Sequence, residues 1–249
     1  MYPLTTLSPA MAIGLGHCLS LLAKRIVREL PMLSSSVVVN AALPLGQPVA
    51  AAEAVLLHAE ICLQQDDVAA ADRLVQKLLQ RLSSSPNASF LRQPEPWQFL
   101  ARLAFLRGDP HDARMFLKRS MSLASAFGSG RPGIPADKHG RALHCSQFLL
   151  QSVLYAHDGA VQAACQAFSC GESASQLSDG PDTLRPILLT RCILELHQDR
   201  FIAAWKAYQA ADLLRSTARQ LARQAPSDDG AERVWLRQFA GLQQPAECN

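Results

Sequence analysis

The stretch Trp97-Gln98-Phe99-Leu100-Ala101-Arg102-Leu103-Ala104-Phe105-Leu106-Arg107-Gly108-Asp109-Pro110-His111-Asp112-Ala113 decides the fold. Its helix-forming run is broken at Gly108-Asp109 and resumes towards Ala113. Gly and Asp are turn formers, so the stretch reads as one helix, a tight turn and a second helix. Ala101 and Ala113 flank that turn at the positions where the two backbones approach most closely, which is where small residues are needed.

The frame recurs four times. Ala71, Ala113, Ala164 and Ala204 each stand twelve residues after a small residue (Ala59, Ala101, Ser152, Cys192) and sixteen after a large apolar one (Val55, Trp97, Phe148, Leu188). Five residues before each marker is a turn former (Asp66, Gly108, Gly159, Asp199), and four after each is an apolar residue (Val75, Leu117, Phe168, Tyr208). The large residues fill the space between one hairpin and the next. Each hairpin leaves an apolar face open, so stability requires stacking.

These residues resemble the tetratricopeptide repeat (TPR). The second unit, with Trp97, Leu100, Ala101, Gly108, Asp109 and Ala113, keeps the family's spacing, with Ala101 where Gly is usual. The third keeps Tyr155, the fourth keeps Phe201 and Ala211, and the first is the most degenerate. The resemblance covers residues 50–215. Family repeats recur about every 34 residues, whereas the marker alanines here lie 42, 51 and 40 apart. The excess falls in Ser83–Pro96, Ser129–Gly140 and Gly171–Pro181, whose Ser, Pro, Gly and Asp content reads as loops. Such loose spacing also resembles the superhelical sensor domains of some large bacterial transcription regulators.

Composition points the same way. Apolar residues make up 49% of the chain and aromatics 6%, a balance that favours helices over strands. A net charge of +3 gives no footprint for nucleic acid. The seven Cys are odd in number and contain no Cys-x-x-Cys pair. They read as small apolar residues in a reducing compartment, not as a disulfide framework. The sequon Asn87-Ala88-Ser89 matters only in a secreted chain.

Little in the sequence points to chemistry. Gly128-Ser129-Gly130-Arg131-Pro132-Gly133 matches the dinucleotide fingerprint letter by letter, but no strand precedes it and Pro132 and Pro135 follow the first glycines, so it reads as a loop. His17-Cys18 and His144-Cys145 are neighbours about 100° apart on a helix, and His197 follows Cys192 at a poor ligand spacing. Asp66-Asp67 and Asp228-Asp229 suit turns and caps. No cofactor, no metal and no enzymatic activity are expected.

The first 23 residues carry no formal charge, and Lys24, Arg25 and Arg28 follow. Ser8 as N-cap, Pro9 in the first turn and the stripe Leu15, Cys18, Leu19, Leu22 and Ile26 read as a packing helix; the alternatives are a mitochondrial transit peptide and, after it, a membrane or secretion signal. At the other end, Arg215, Arg219 and Arg223 form a basic row, and a helix presenting Trp235, Leu236, Phe239 and Leu242 reads as a lid on the last hairpin.

The expected fold is therefore all-α, a right-handed superhelix of stacked antiparallel hairpins, a TPR-like α-solenoid. Residues 1–45 form an N-terminal helix and linker, 46–224 the four hairpins, and 225–249 a capping helix and tail. The family resemblance implies a non-catalytic protein–protein interaction module or scaffold in a cytoplasmic setting, holding a partner peptide or helix in a concave groove. It involves no nucleic acid and no membrane span. Carrying the family's groove positions onto this chain gives Glu60, Gln98, Arg102, Phe105, Leu149, Val153, Leu189 and Ile193. The alternatives are a groove filled by Trp235 and Phe239 of the final helix, and a regulator fragment that binds a small molecule between helices.

Overall fold

A computed structural model describes residues 9–30, 48–83, 90–127, 138–176 and 183–224. Among them are nine α-helices and no strand: α1 Pro9–Glu29, α2 Pro48–Gln64, α3 Val68–Ser83, α4 Pro94–Arg107, α5 Pro110–Phe127, α6 Lys138–His157, α7 Val161–Gln176, α8 Leu184–His197 and α9 Phe201–Gln224. A 3-10 turn, Phe90–Arg92, precedes α4. Helices α1, α2, α4 and α5 open on Pro, whose fixed φ suits a first turn and whose missing N–H would have had no partner there.

Helices α2–α9 pair as four hairpins, α2 with α3, α4 with α5, α6 with α7 and α8 with α9. All four turns are built alike. Asp66, Gly108, Gly159 and Asp199 adopt left-handed backbone, with φ of 67°, 90°, 75° and 59°. Each donates its N–H to a carbonyl three residues back, and the next residue donates to one five back: Gly108 to Phe105 and Asp109 to Ala104, for example, at 3.0 and 2.9 Å. This double bond satisfies carbonyls that would otherwise be orphaned at the helix end. Asp67 and Asp109 then cap the following helices, accepting from Ala70 N–H and Asp112 N–H at 2.8 and 3.0 Å.

The small residues face each other across these hairpins. Ala59, Ala101, Ser152, Ala71, Ala113 and Ala164 are fully buried, and Cys192 and Ala204 nearly so. Ser152 Oγ donates to the carbonyl of Ala164, its own marker alanine, at 2.9 Å. Successive hairpins touch through α3 and α4, α5 and α6, and α7 and α8. Trp97 Nε1 donates to Leu91 O at 2.8 Å, which fixes the 3-10 turn against α4.

The segment expected as loop from Gly171 onwards is corrected: α7 continues to Gln176. Gly171 is a point of close approach instead of a break. A Cβ there would lie 3.3 Å from Phe148 Cβ and 3.4 Å from Cys145 O on α6. Three residues on, Ala174 is fully buried, so tertiary packing overrides the local weakness of Gly in a helix. Likewise Gly140 lies within α6, and Pro94 and Pro96 within α4. The segments 128–133 and 225–249, with the fingerprint and the expected lid, lie outside the described residues.

Helix α1 is the element whose placement the repeat frame does not predict. It packs against α2, α4, α6 and α8, the first helix of every hairpin. No described helix is long and apolar enough to cross a membrane.

Candidate functional site: the seat of the N-terminal helix

Ile26, Val27 and Leu30 on α1 and just past its end are essentially inaccessible, and Ala23 is buried beside them. They join one continuous core with Leu56 of α2, Phe99 and Leu103 of α4, Leu149 and Leu150 of α6, and Leu189 and Ile193 of α8. Each large aliphatic side chain so covered contributes roughly 1.5–3 kcal/mol. The C-terminal half of the expected stripe, with Ala23, Val27 and Leu30, and the open faces of the hairpins thus relieve each other of solvent, whereas Cys18 of that stripe is exposed.

The polar part of the seat is built around Arg102. Its side chain is wholly buried and donates four hydrogen bonds. Nε donates to Val27 O at 2.9 Å and one terminal nitrogen to Arg28 O at 3.0 Å, while both terminal nitrogens donate to the two carboxylate oxygens of Glu60 at 2.9 Å. Leu30 N–H satisfies Ile26 O at 3.0 Å, so Arg102 supplies donors to the two carbonyls next in line at the end of α1. The negative end of the helix dipole favours a cation at this point. Glu60 in turn prevents that cation from being buried alone, in the bidentate geometry that guanidinium and carboxylate share.

A ring of charge, running from buried Arg185 to exposed Asp66, surrounds this centre. Arg28 pairs with Asp66 of the first turn at 2.5 Å. Glu29 accepts from Arg185 of α8 and from Arg25 on its own helix. Arg25 also donates to Tyr208 Oη of α9 at 3.3 Å, and its guanidinium lies 5.9 Å from that ring's centre. Burial pulls the Arg25 pKa down, but the charge of Glu29 and the bonds to Tyr208 and Glu29 outweigh it, leaving it above its ordinary value.

The eight positions carried over as groove residues are not an open surface: none is more than 5% exposed. Glu60 and Arg102 are brought together as a pair. Phe105, Leu149, Val153, Leu189 and Ile193 share the core that takes up α1. Gln98 donates to Ser146 Oγ of α6; in a separate buried chain Gln147 Nε2 donates to Ser120 Oγ at 2.8 Å and Ser120 Oγ donates to Pro94 O at 2.7 Å. Their expected exposure is corrected: all eight are buried, and α1 packs against the four first helices that carry them.

An exposed apolar face went unread in the sequence. Ile202, Trp205 and Leu213 on α9 are 75%, 59% and 66% exposed. They point away from Ala204, Ala207 and Ala211, which are buried. A plot of α9 at 100° per residue would have shown a second apolar face opposite the alanines.

Cysteines divide as well. Cys62, Cys145 and Cys192 are buried, Cys165 is half-buried, and Cys18 and Cys170 are exposed; all six are free thiols. Burial pushes the Cys145 thiol up to about 12 and that of Cys192 up to about 11, so neither is an activated nucleophile. No group of three His, Cys, Asp or Glu among the described residues could hold a metal ion. Comparison with protein-family models, curated proteins and solved structures finds no match.

Proposed function

We propose that this chain is a non-catalytic protein-interaction module, a TPR-like stack of hairpins whose first helices hold an amphipathic helix. One observation carries the reading: Arg102, held by Glu60, binds the end of α1 through main-chain carbonyls. Carbonyl recognition does not depend on side-chain identity. Any helix that ends at this point and carries an apolar seam along Phe105, Leu149, Val153, Leu189 and Ile193 meets the same donors. Helix α1 occupies the seat in this chain, and a partner helix binds by taking its place. The division into residues 1–45, 46–224 and 225–249 and a cytoplasmic setting belong to the same reading.

The test uses the full chain carrying Val27→Asp, which places a charge where α1 meets the core, together with a labelled peptide of residues 9–30. The expected result is a folded variant by circular dichroism that binds the peptide in trans, while the parent chain does not. Should Val27→Asp fail to fold, Arg25→Ala with Arg28→Ala loosens α1 through its surface contacts alone. A folded, loosened variant that ignores the peptide removes the reading.

A further inference from the structure

We propose that Arg185 of α8 selects the helix that enters the seat, admitting helices that carry an acid just before a final apolar residue, as Glu29 stands before Leu30 in α1. The proposal rests on the reading of the seat as one that a partner helix can take. Arg102 donates to main-chain carbonyls, which every helix end carries, so it does not tell one occupant from another. The choice falls to the side chains around it, and burial decides which of them counts.

Arg28 and Asp66 count for little. Their side chains are 29% and 65% exposed, and a pair so open to water contributes almost nothing net. Arg185 differs. Its side chain is 9% exposed, and that of its partner Glu29 is 18% exposed. Nε donates to Ala211 O of α9 at 3.1 Å, so the fourth hairpin itself holds the guanidinium in place, whatever lies in the seat. One terminal nitrogen donates to the Glu29 carboxylate, and the other is buried with no hydrogen-bond partner among the described residues. A seated helix that covers this cation without bringing a carboxylate therefore strands a buried charge.

Glu29 points to the same cause. It is the last residue of α1, where the negative end of the helix dipole disfavours an acid. Its i,i+4 partner Arg25 lies on the N-terminal side, the weaker order for such a pair. Local helix physics thus gives a carboxylate little support here, and Arg185, 156 residues away, supplies it. A helix with a basic residue at this position meets Arg185 with like charge and is refused. The helices admitted share the pattern of Ile26-Val27-Arg28-Glu29-Leu30, in which the first two residues and the last are buried. They carry two apolar residues, one of any type, an acid and a final apolar residue.

Labelled peptides of residues 9–30 are titrated onto the full chain carrying Val27→Asp, or onto the one carrying Arg25→Ala with Arg28→Ala. Glu29→Gln in the peptide is expected to raise the dissociation constant at least about thirtyfold, and Glu29→Lys to raise it further. Arg28→Gln changes it less than about fivefold. These changes lie in the peptide, so the folding of the chain is not at stake. With Arg185→Met added to the chain, the parent and Glu29→Gln peptides bind within about threefold of each other. Equal binding of those two peptides before that addition overturns the proposal, and so does a preference that survives it. If no peptide binds, the reading of an exchangeable seat fails, and the selection is measured within the chain itself. Hydrogen exchange at amides 23–30 is then expected to quicken at least about thirtyfold in Glu29→Gln and less than about fivefold in Arg28→Gln. Equal rates in those two variants overturn the selection by Arg185 as well.

Discussion

Arg102 holds two main-chain carbonyls of α1 and both carboxylate oxygens of Glu60 from one buried position. Removing one partner of a buried ion pair leaves the other charge stranded, at about 3–5 kcal/mol, whereas replacing both with apolar groups is often near neutral. Arg102→Met is therefore expected to lower stability by about that amount in urea denaturation, and Glu60→Met added to it to recover most of the loss. A double variant no better than the single would locate the loss in the uncapped carbonyls of Val27 and Arg28. Both residues were visible in the sequence as polar positions on first helices. Their pairing was not, because 42 residues separate them and nothing local relates them. The carbonyls were wholly illegible, since every residue has one and no side chain marks which will be short of a donor.

At the scale of the element, the turns were the legible part. Asp66, Gly108, Gly159 and Asp199 stand out by residue type and by a constant offset from the marker alanines, and all four take the left-handed backbone that such types favour. The space around Gly108 and Gly159 is open where a Cβ would go, so a substitution there is opposed by backbone conformation alone. Gly108→Ala and Gly159→Ala should each cost about 1–2 kcal/mol, read as a fall in thermal midpoint. Asp199→Gly should do the opposite, raising stability by up to about 1 kcal/mol, because it relieves a strained backbone. It also removes a buried Oδ1 that has no hydrogen-bond partner among the described residues. Loop boundaries were read less well. By residue type Gly171 reads as the start of a loop, although its role is set by Phe148 and Cys145 on the neighbouring helix, which local sequence does not reveal.

Across the whole molecule, buried titratable groups set the pH range of stability. The unfolded chain ionises its thiols near 9, whereas Cys145 and Cys192 in the fold hold their protons to about 12 and about 11. Above about 9 the unfolded state thus binds fewer protons than the native one, and stability falls as pH rises. Burial lowers the pKa of His144 and His197 from the ordinary 6.5, so below that value the unfolded state takes up protons that the fold refuses, and stability falls as pH drops. Urea midpoints should accordingly form a plateau between about 6.5 and about 9, and Cys145→Ala should flatten the alkaline limb. The repeat frame was legible because its contacts are local. The position of α1 was not, because its partners lie far along the chain: Glu29 is 156 residues from Arg185, and Arg25 is 183 from Tyr208. That separation has a consequence in time. Synthesis proceeds at about 5–20 residues per second, so each hairpin can close soon after it emerges from the ribosome. Helix α1 is made before the hairpins and must wait roughly 10–40 s for α8 and α9 to be complete. Throughout that interval Ile26, Val27 and Leu30 have no completed core to enter, and a segment translated before every hairpin is among the last to reach its final place.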